Sequence, residues 1–137
     1  MRLVLNQQIF DTIQAHVEFC LPLEACGLLA GKGEIVQQVL TVANQARSPA
    51  RFRMDPFEQI QAFERIESSG LDLLGIFHLH PSGPEAASAT DIAEAAYAVV
   101  HIIWSRQMGA WKARGFWFES GRASDVKLVF STASSPI

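Results

Sequence analysis

One apolar run, from Leu71 to Leu79, constrains the fold more than any other feature of the sequence. Apolar runs of this length that follow a glycine are typical of strands buried on both faces of a sheet. We therefore predict that Leu71 to Leu79 is a buried central strand. This strand would deliver two histidines, His78 and His80, at its C-terminal end.

Helices and further strands are predicted on both sides of the central strand. Their bounds, from apolar spacing and turn residues, are Gln7 to Phe19 (helix), Ala25 to Ala30 and Ile35 to Val42 (hairpin), Arg51 to Met54 (short strand), Pro56 to Ser68 (helix), Ala89 to Ala96 (helix), and Tyr97 to Trp104, Ala110 to Glu119 and Val126 to Ser131 (strands). The sequence pattern thus predicts three helices and several strands.

The chain is expected to fold as a single domain over residues 1–131, with a flexible tail at 132–137. Its 137 residues match the usual size of one domain, about 100–200 residues. Hydrophobic residues make up 49% of the sequence and charged residues 18%, which supports a buried core and excludes a disordered chain.

Charge and targeting features exclude two kinds of partner. The net charge of −3 lacks the basic excess that binding to a phosphate backbone requires, so no nucleic acid is expected. No apolar run reaches the length of about 18 residues that a membrane span needs, and the N-terminus lacks the apolar segment of a signal peptide. We therefore expect a cytoplasmic protein without membrane contact.

His78 and His80 form the centre of a predicted metal site. Residues two apart on a strand point to the same side, so both imidazoles can face one point while Leu79 turns into the core. Asp91 falls in the first turn of the predicted third helix, where its carboxylate can complete a set of two nitrogens and one oxygen. Such a set suits one zinc ion per chain, with the fourth position open to water.

A hydrolytic zinc site also needs a base and a group that stabilises an oxyanion. Glu24 is the best candidate for the base, because it stands in an otherwise apolar segment where a lone carboxylate would be expensive to bury. Ser88 offers a hydroxyl beside the metal, where it can stabilise the charge that forms when water attacks a carbonyl carbon.

Each of these residues also has a purely structural interpretation. Ser88 and Asp91 have the spacing of a helix capping box, and two histidines on a strand are more often ordinary hydrogen-bonded groups than ligands. The joint presence of the histidine pair, the Ser-x-x-Asp spacing and an upstream glutamate favours a metal site. Cys26 is interpreted as a small buried apolar side chain rather than a thiolate.

The site residues form a known pattern, with Glu24 followed by HLHP at 78–81 and SATD at 88–91. This pattern resembles that of the JAMM, or MPN-plus, zinc metalloproteases. The segments EACGLLAG, ANQARSPARFRMDP and LLGIFHLHPSGPEAASATD occur in the order seen in small stand-alone prokaryotic members. The resemblance implies a cytidine-deaminase-like α/β MPN fold, with a central mixed sheet flanked by about three helices. It also implies these roles: zinc ligands for His78, His80 and Asp91, general acid and base for Glu24, and oxyanion stabiliser for Ser88.

The resemblance further implies a substrate class. Prokaryotic members of this size are associated with ubiquitin-like sulfur-carrier proteins, so we expect hydrolysis of a peptide or isopeptide-type bond after a Gly-Gly tail. The insertions by which eukaryotic members grip a second ubiquitin have no room in 137 residues. Leu79 departs from the Ser or Thr that many members have between the histidines, but alternation turns it away from the metal. The sequence leaves the oligomeric state open.

Two other functions are weighed against the protease. A zinc nucleobase deaminase shares the implied fold, but it needs H-x-E together with P-C-x-x-C, and the two motifs do not occur together here. A non-catalytic MPN-type scaffold that binds partner proteins would be expected to lack a ligand or the glutamate, and none is missing. The protease is therefore the predicted function, and the scaffold is its alternative.

Overall fold

Seven strands and two helices make up the parts of the chain that the computed structural model describes, which are residues 1–49, 53–81 and 98–131. In chain order these elements are β1 (Arg2–Asn6), α1 (Gln7–Cys20), β2 (Cys26–Lys32), β3 (Ile35–Val42), α2 (Pro56–Ser68), β4 (Asp72–His80), β5 (Val100–Gln107), β6 (Ala110–Glu119) and β7 (Arg122–Ser131). The predicted hairpin, first two helices and central strand are confirmed, with bounds that differ by no more than two residues.

The strands form one closed, mixed sheet in the order β1-β3-β2-β4-β5-β6-β7. Pairing of β1 with β7 closes the sheet. β1 is parallel to both of its neighbours and β4 is parallel to β5, whereas the other pairs are antiparallel. The predicted mixed sheet is confirmed, but its closure was not predicted, because closure depends on pairing between the two ends of the described chain.

Both helices begin at side chains that cap them. The Asn6 Oδ1 atom accepts a hydrogen bond from the Ile9 N–H at 2.8 Å, and the Asp55 Oδ1 atom accepts one from the Glu58 N–H at 3.0 Å. These bonds satisfy N–H groups that have no partner within the helix, and asparagine and aspartate are favoured at this capping position. Among the described residues, neither helix is long and apolar enough to cross a membrane.

The sheet separates two apolar cores. On the side that we call the α1 face, Ile13 and Val17 of α1 pack in one cluster with Phe77, Leu79 and Trp104 of the sheet. On the opposite side, the α2 face, the buried residues of α2 pack against side chains of β2, β3 and β4; these are Ala62 and Ile66 against Leu28, Leu40 and Ile76. Neighbouring residues of β4 therefore enter different cores.

Gly27 allows β2 to lie close against β4 beside the histidines. It pairs with Phe77, and a Cβ atom at position 27 would lie 2.5 Å from the Phe77 ring and 2.7 Å from the Leu40 carbonyl oxygen. Side chains do not approach so closely, so only glycine fits at this position.

Three strands, β1, β5 and β7, differ more from the predictions. β5 begins at Val100 rather than Tyr97 and continues to Gln107, because it pairs with β4 at its start and with β6 at its end. β7 begins at Arg122 rather than Val126, because polar residues extend its hairpin with β6. β1 was not predicted, since its partners β3 and β7 lie far along the chain.

Other predictions fall wholly or partly outside the described residues. The third helix, Ala89 to Ala96, and the tail at 132–137 lie outside them. The prediction of about three helices is therefore corrected to two within the described ranges. Of the predicted strand from Arg51 to Met54, the described part forms one isolated bridge between Met54 and Asn44.

Candidate metal centre

His78 and His80 lie at the C-terminal end of β4, on the same side as Ile76 and therefore on the α2 face. They are 0% and 5% exposed. Their ring centroids lie 4.8 Å apart and their Nε2 atoms 3.0 Å apart. Leu79 is fully buried on the α1 face. The predicted convergence of the two imidazoles is confirmed.

Glu24 reaches the histidines from the segment between α1 and β2. The Leu79 N–H donates a hydrogen bond to the Ala25 carbonyl oxygen at 2.9 Å, so the antiparallel pairing of β2 with β4 continues beyond the start of β2. Following this register by one more residue places Glu24 opposite His80, on the same face of the sheet. Glu24 is only 3% exposed. Glu24 therefore lies beside the two histidines.

Glu24, His78 and His80 form a group that can hold a metal ion. One ligand atom from each of the three buried residues lies within 4.8 Å of the others. A tetrahedral zinc ion with Zn–N distances of about 2.0–2.1 Å holds two ligand nitrogens roughly 3.3 Å apart, which is close to the 3.0 Å between the Nε2 atoms. Two imidazoles and a carboxylate are also a donor set that catalytic zinc sites use. The residues present therefore fit the metal.

Two predicted site residues, Ser88 and Asp91, lie outside the described residues. Their roles as oxyanion stabiliser and third zinc ligand stay predictions. The position of Glu24 is compatible with two roles, because a carboxylate near two imidazoles can bind the ion or take a proton from a water molecule.

Two polar residues beside this group were not predicted from the sequence. Ser105 is fully buried and pairs with His80 in the parallel register of β4 and β5; its Oγ atom has no hydrogen-bond partner among the residues that the structure describes. Asn44 donates a hydrogen bond to the Glu24 carbonyl oxygen at 3.0 Å. An asparagine two residues after an apolar strand is a local turn signal that could have identified Asn44. Ser105 has no such signal, because only the pairing of the strands places it there.

Cys26 is a buried, neutral thiol, in agreement with its structural interpretation. Its Sγ atom donates to the Val42 carbonyl oxygen at 3.3 Å. Burial, with smaller contributions from Cys20, Glu24 and Glu58, raises the pKa of Cys26 to about 12. A thiol with so high a pKa is protonated at neutral pH, so it acts neither as a nucleophile nor as a thiolate ligand.

The two remaining histidines lie apart from the metal centre. On α1, the His16 Nε2 atom lies 3.3 Å from the Cys26 carbonyl oxygen, and its ring stands edge-on to Phe77 with centroids 6.1 Å apart. Burial lowers the pKa of His16, and the hydrogen bond to the Cys26 backbone partly offsets this lowering. His101 packs against Phe118 with ring centroids 4.5 Å apart. Within the described residues, neither histidine belongs to the group of potential metal ligands.

Sequence comparisons find relatives over most of the chain. The profile of the family described as prokaryotic homologues of the JAB domain matches residues 6–117. A desampylase from Pyrococcus furiosus is 35% identical over 109 residues, which cover 78% of this chain and 76% of the relative. A probable TtuB-protein conjugate cleaving protease from Thermus thermophilus is 35% identical over 122 residues, which cover 88% and 78%. A CysO-cysteine peptidase from Mycobacterium tuberculosis is 28% identical over 103 residues, which cover 74% and 70%.

Solved structures share the fold. The solution structure of a protein from Desulfitobacterium hafniense has a TM-score of 0.86 and is 28% identical, covering 96% of this chain and 94% of its own. The crystal structure of a JAB1/MPN-domain protein from Archaeoglobus fulgidus has a TM-score of 0.59 at 18% identity, covering 93% and 98%. The architecture is therefore an α/β MPN-like fold, as the resemblance implied.

Proposed function

We propose that this chain, which belongs to the family of prokaryotic homologues of the JAB domain, is a JAMM-type zinc metallopeptidase that hydrolyses an amide bond after the Gly-Gly tail of a ubiquitin-like or sulfur-carrier protein. The observation that carries the proposal is the buried group of Glu24, His78 and His80. The names of two relatives, a conjugate cleaving protease and a CysO-cysteine peptidase, support the same class of reaction.

One zinc ion per chain would be held by His78, His80 and Asp91. When bound, zinc lowers the pKa of a coordinated water to about 7 and polarises the scissile carbonyl group. The two imidazoles would hold it through their Nε2 atoms, which lie 3.0 Å apart. Because both histidines stand on one strand inside the sheet, their rings need little reorganisation to bind the ion.

Glu24 carries out the proton transfers in this proposal. Its carboxylate accepts a proton from the attacking water and delivers it to the leaving amine, so the same group acts first as a base and then as an acid. The burial of Glu24 keeps bulk water from competing for that proton. Ser88 donates a hydrogen bond to the oxygen of the scissile carbonyl as negative charge develops on it.

The Gly-Gly preference follows from the depth of the site. Glu24 and the two histidines are no more than 5% exposed, so a scissile bond reaches them only on an extended segment with small side chains. A folded ubiquitin-like body would remain outside while its tail enters. This tail could be joined to a protein or to a single amino acid, as the names of the TtuB-protein and CysO-cysteine relatives indicate for their own substrates.

Matched fusion proteins test the substrate. A sulfur-carrier-type protein is joined to a reporter through either Gly-Gly or Val-Leu, and each fusion is incubated with the zinc-loaded protein. We expect mass spectrometry to find a cut after the second glycine, loss of cutting in EDTA, and no cut at Val-Leu. Equal cutting of both fusions would contradict the Gly-Gly preference. Cutting of neither, with zinc bound, is the outcome expected of a non-catalytic scaffold.

Glu24→Gln is the matched variant for the mechanism. Glutamine preserves the size and polarity of the side chain but cannot accept the proton, so we expect kcat to fall by about 10²–10⁴-fold with zinc retained. Zinc content is measured by elemental analysis beside the rate. Loss of zinc would make Glu24 a ligand, and normal turnover would place the base elsewhere.

A further inference from the structure

Asn44 lies beyond the end of β3, opposite the glutamate of the metal centre. β2 and β3 are antiparallel with Val42 opposite Cys26, so following that register by two residues places Asn44 opposite Glu24. Glu24 in turn lies opposite His80. The three polar residues therefore form one row across the second residue after the end of β3, the second residue before the start of β2 and the last residue of β4.

The side chain of Asn44 bonds the backbone at both ends of its amide. Its Nδ2 atom donates to the Glu24 carbonyl oxygen at 3.0 Å. Its Oδ1 atom accepts from the Ala46 N–H at 3.0 Å and from the Arg53 N–H at 2.9 Å. The bond to Ala46 closes an Asx turn. Among side chains of this size, only asparagine has the donor at one end and the acceptor at the other that these three bonds require.

The loop that Asn44 organises holds both backbone polar groups of Glu24. The Glu24 N–H donates to the Ser48 carbonyl oxygen at 2.8 Å, and the Glu24 carbonyl accepts from Asn44. The loop is itself fastened to the segment before α2, where the Gln45 N–H donates to the Arg53 carbonyl oxygen at 2.7 Å. The peptide groups on either side of Glu24 cannot rotate without breaking these bonds.

We propose that Asn44 is a positioning residue that fixes the Glu24 backbone, so that the Glu24 carboxylate stays beside the two imidazoles. This inference rests on the proposed function, in which Glu24 transfers protons. The direction of the Glu24 Cα–Cβ bond sets where the carboxylate lies, and a displacement of about 1 Å can lower turnover by about 10²-fold. Asn44 contributes through the backbone and does not contact the reacting atoms.

Asn44→Asp removes the donor that bonds the Glu24 carbonyl oxygen. The aspartate oxygens still accept from Ala46 and Arg53, so the turn is kept, but no donor faces the Glu24 carbonyl. We expect kcat on the Gly-Gly fusion to fall by about 10- to 100-fold, with KM changed by less than about twofold and zinc content unchanged. If this variant does not fold, Asn44→Ser replaces it, because a hydroxyl keeps the turn but is too short to reach Glu24.

Asn6→Ala is the matched control, since Asn6 also uses its side chain to bond a backbone N–H. That bond caps α1 through Ile9 and involves no residue of the metal centre. We expect Asn6→Ala to lower Tm and to leave kcat unchanged below its unfolding transition. If the Asn44 variant likewise lowered only Tm, the proposal would be overturned.

Two further readouts distinguish positioning from general destabilisation. In a Glu24→Gln background, Asn44→Asp should lower the residual rate by less than about twofold, because the group that it positions is already lost. With Co²⁺ bound in place of zinc, the visible absorption spectrum should change in Asn44→Asp, as in Glu24→Gln, and not in Asn6→Ala. An equal loss of rate in both backgrounds, or an unchanged Co²⁺ spectrum, would overturn the role of Asn44. A wild-type protein that neither binds Co²⁺ nor cleaves the fusion would overturn the proposed function and this inference with it.

Discussion

Near its C-terminal end, β4 is buried on both faces, but the residues on the two faces differ chemically. Phe77 and Leu79 are 0% exposed and belong to the core on the α1 face. His78 and His80 are 0% and 5% exposed and stand beside Glu24 on the other face. A single strand therefore contributes alternate residues to the apolar core and to the candidate metal centre.

Equal burial has opposite energetic consequences on the two faces. Burying a leucine or phenylalanine side chain stabilises a protein by about 1.5–3 kcal/mol. A buried imidazole or carboxylate loses its hydration and regains that free energy only through hydrogen bonds or a metal ion. Buried polar groups that interrupt an apolar pattern are typical of functional sites. We therefore expect substitutions on the two faces to separate metal binding from stability.

The largest effect is expected for the double variant His78→Ala, His80→Ala. Removing both imidazoles leaves too few ligands, so zinc binding and hydrolysis of the Gly-Gly fusion should be lost together. The free energy of unfolding of the zinc-free protein should change by less than about 2 kcal/mol. The variant loses packing contacts, but it also no longer bears the desolvation cost of burying two imidazoles, and the two effects partly cancel.

For the double histidine variant, elemental analysis after zinc loading measures the zinc content. Urea unfolding in EDTA measures the free energy of unfolding of the zinc-free protein. Wild-type protein treated in the same way is the reference and should hold about one zinc per chain. A double variant that still bound stoichiometric zinc would contradict the assignment of His78 and His80 as ligands.

Leu79→Ala should give the reverse result. Leu79 is fully buried in the core cluster that contains Phe77 and the apolar residues of α1, so truncation should lower the free energy of unfolding by about 2–5 kcal/mol. The folded variant should still bind zinc, because the lost atoms lie on the α1 face. Urea unfolding in EDTA and zinc analysis of the folded fraction check both points. A variant of normal stability that had lost its zinc would show that the two faces are not independent.

Features that depend on nearby residues could be predicted from the sequence. The starts of both helices follow from the capping residues Asn6 and Asp55, whose bonds span three residues. The convergence of His78 and His80 follows from the two-residue period of a strand. The place of Glu24 was inferred from its isolation in an apolar segment, and the family pattern supported it.

Features that depend on distant pairing could not be predicted. The strand at Arg2–Asn6 and the closure of the sheet depend on pairing with β3 and β7, which no local pattern reveals. For the same reason Ser105 was missed, because strand register alone places it beside His80. Asn44 has a local turn signal, but only the register of β2 and β3 places it opposite Glu24. Within the described residues, the sequence therefore identified Glu24, His78 and His80 but not the residues that surround them.

The smallest expected effect concerns His16, a histidine on the α1 side of the sheet. Its ring lies between the Cys26 carbonyl oxygen and Phe77, and burial lowers its pKa from 6.5. The unfolded chain therefore binds more protons at His16 than the folded protein does as the pH falls below about 6.5. His16 therefore contributes its full share of stability above pH 6.5, and this share is lost as the pH falls through the lowered pKa of the folded protein.

His16→Gln should remove this pH dependence and leave the metal centre unchanged. Glutamine can still donate a hydrogen bond to the Cys26 carbonyl but does not titrate. We expect the loss of unfolding free energy between pH 7.5 and pH 5.5, taken here as about one unit on either side of the usual histidine pKa, to be smaller in the variant than in the wild type. Urea unfolding in EDTA at each pH measures this loss. The other three histidines titrate in both proteins, so the difference in pH dependence between wild type and variant reports His16 alone. Parallel slopes would show that His16 keeps an ordinary pKa in the folded protein. A change in zinc content would show that His16 also supports the metal centre on the α2 face.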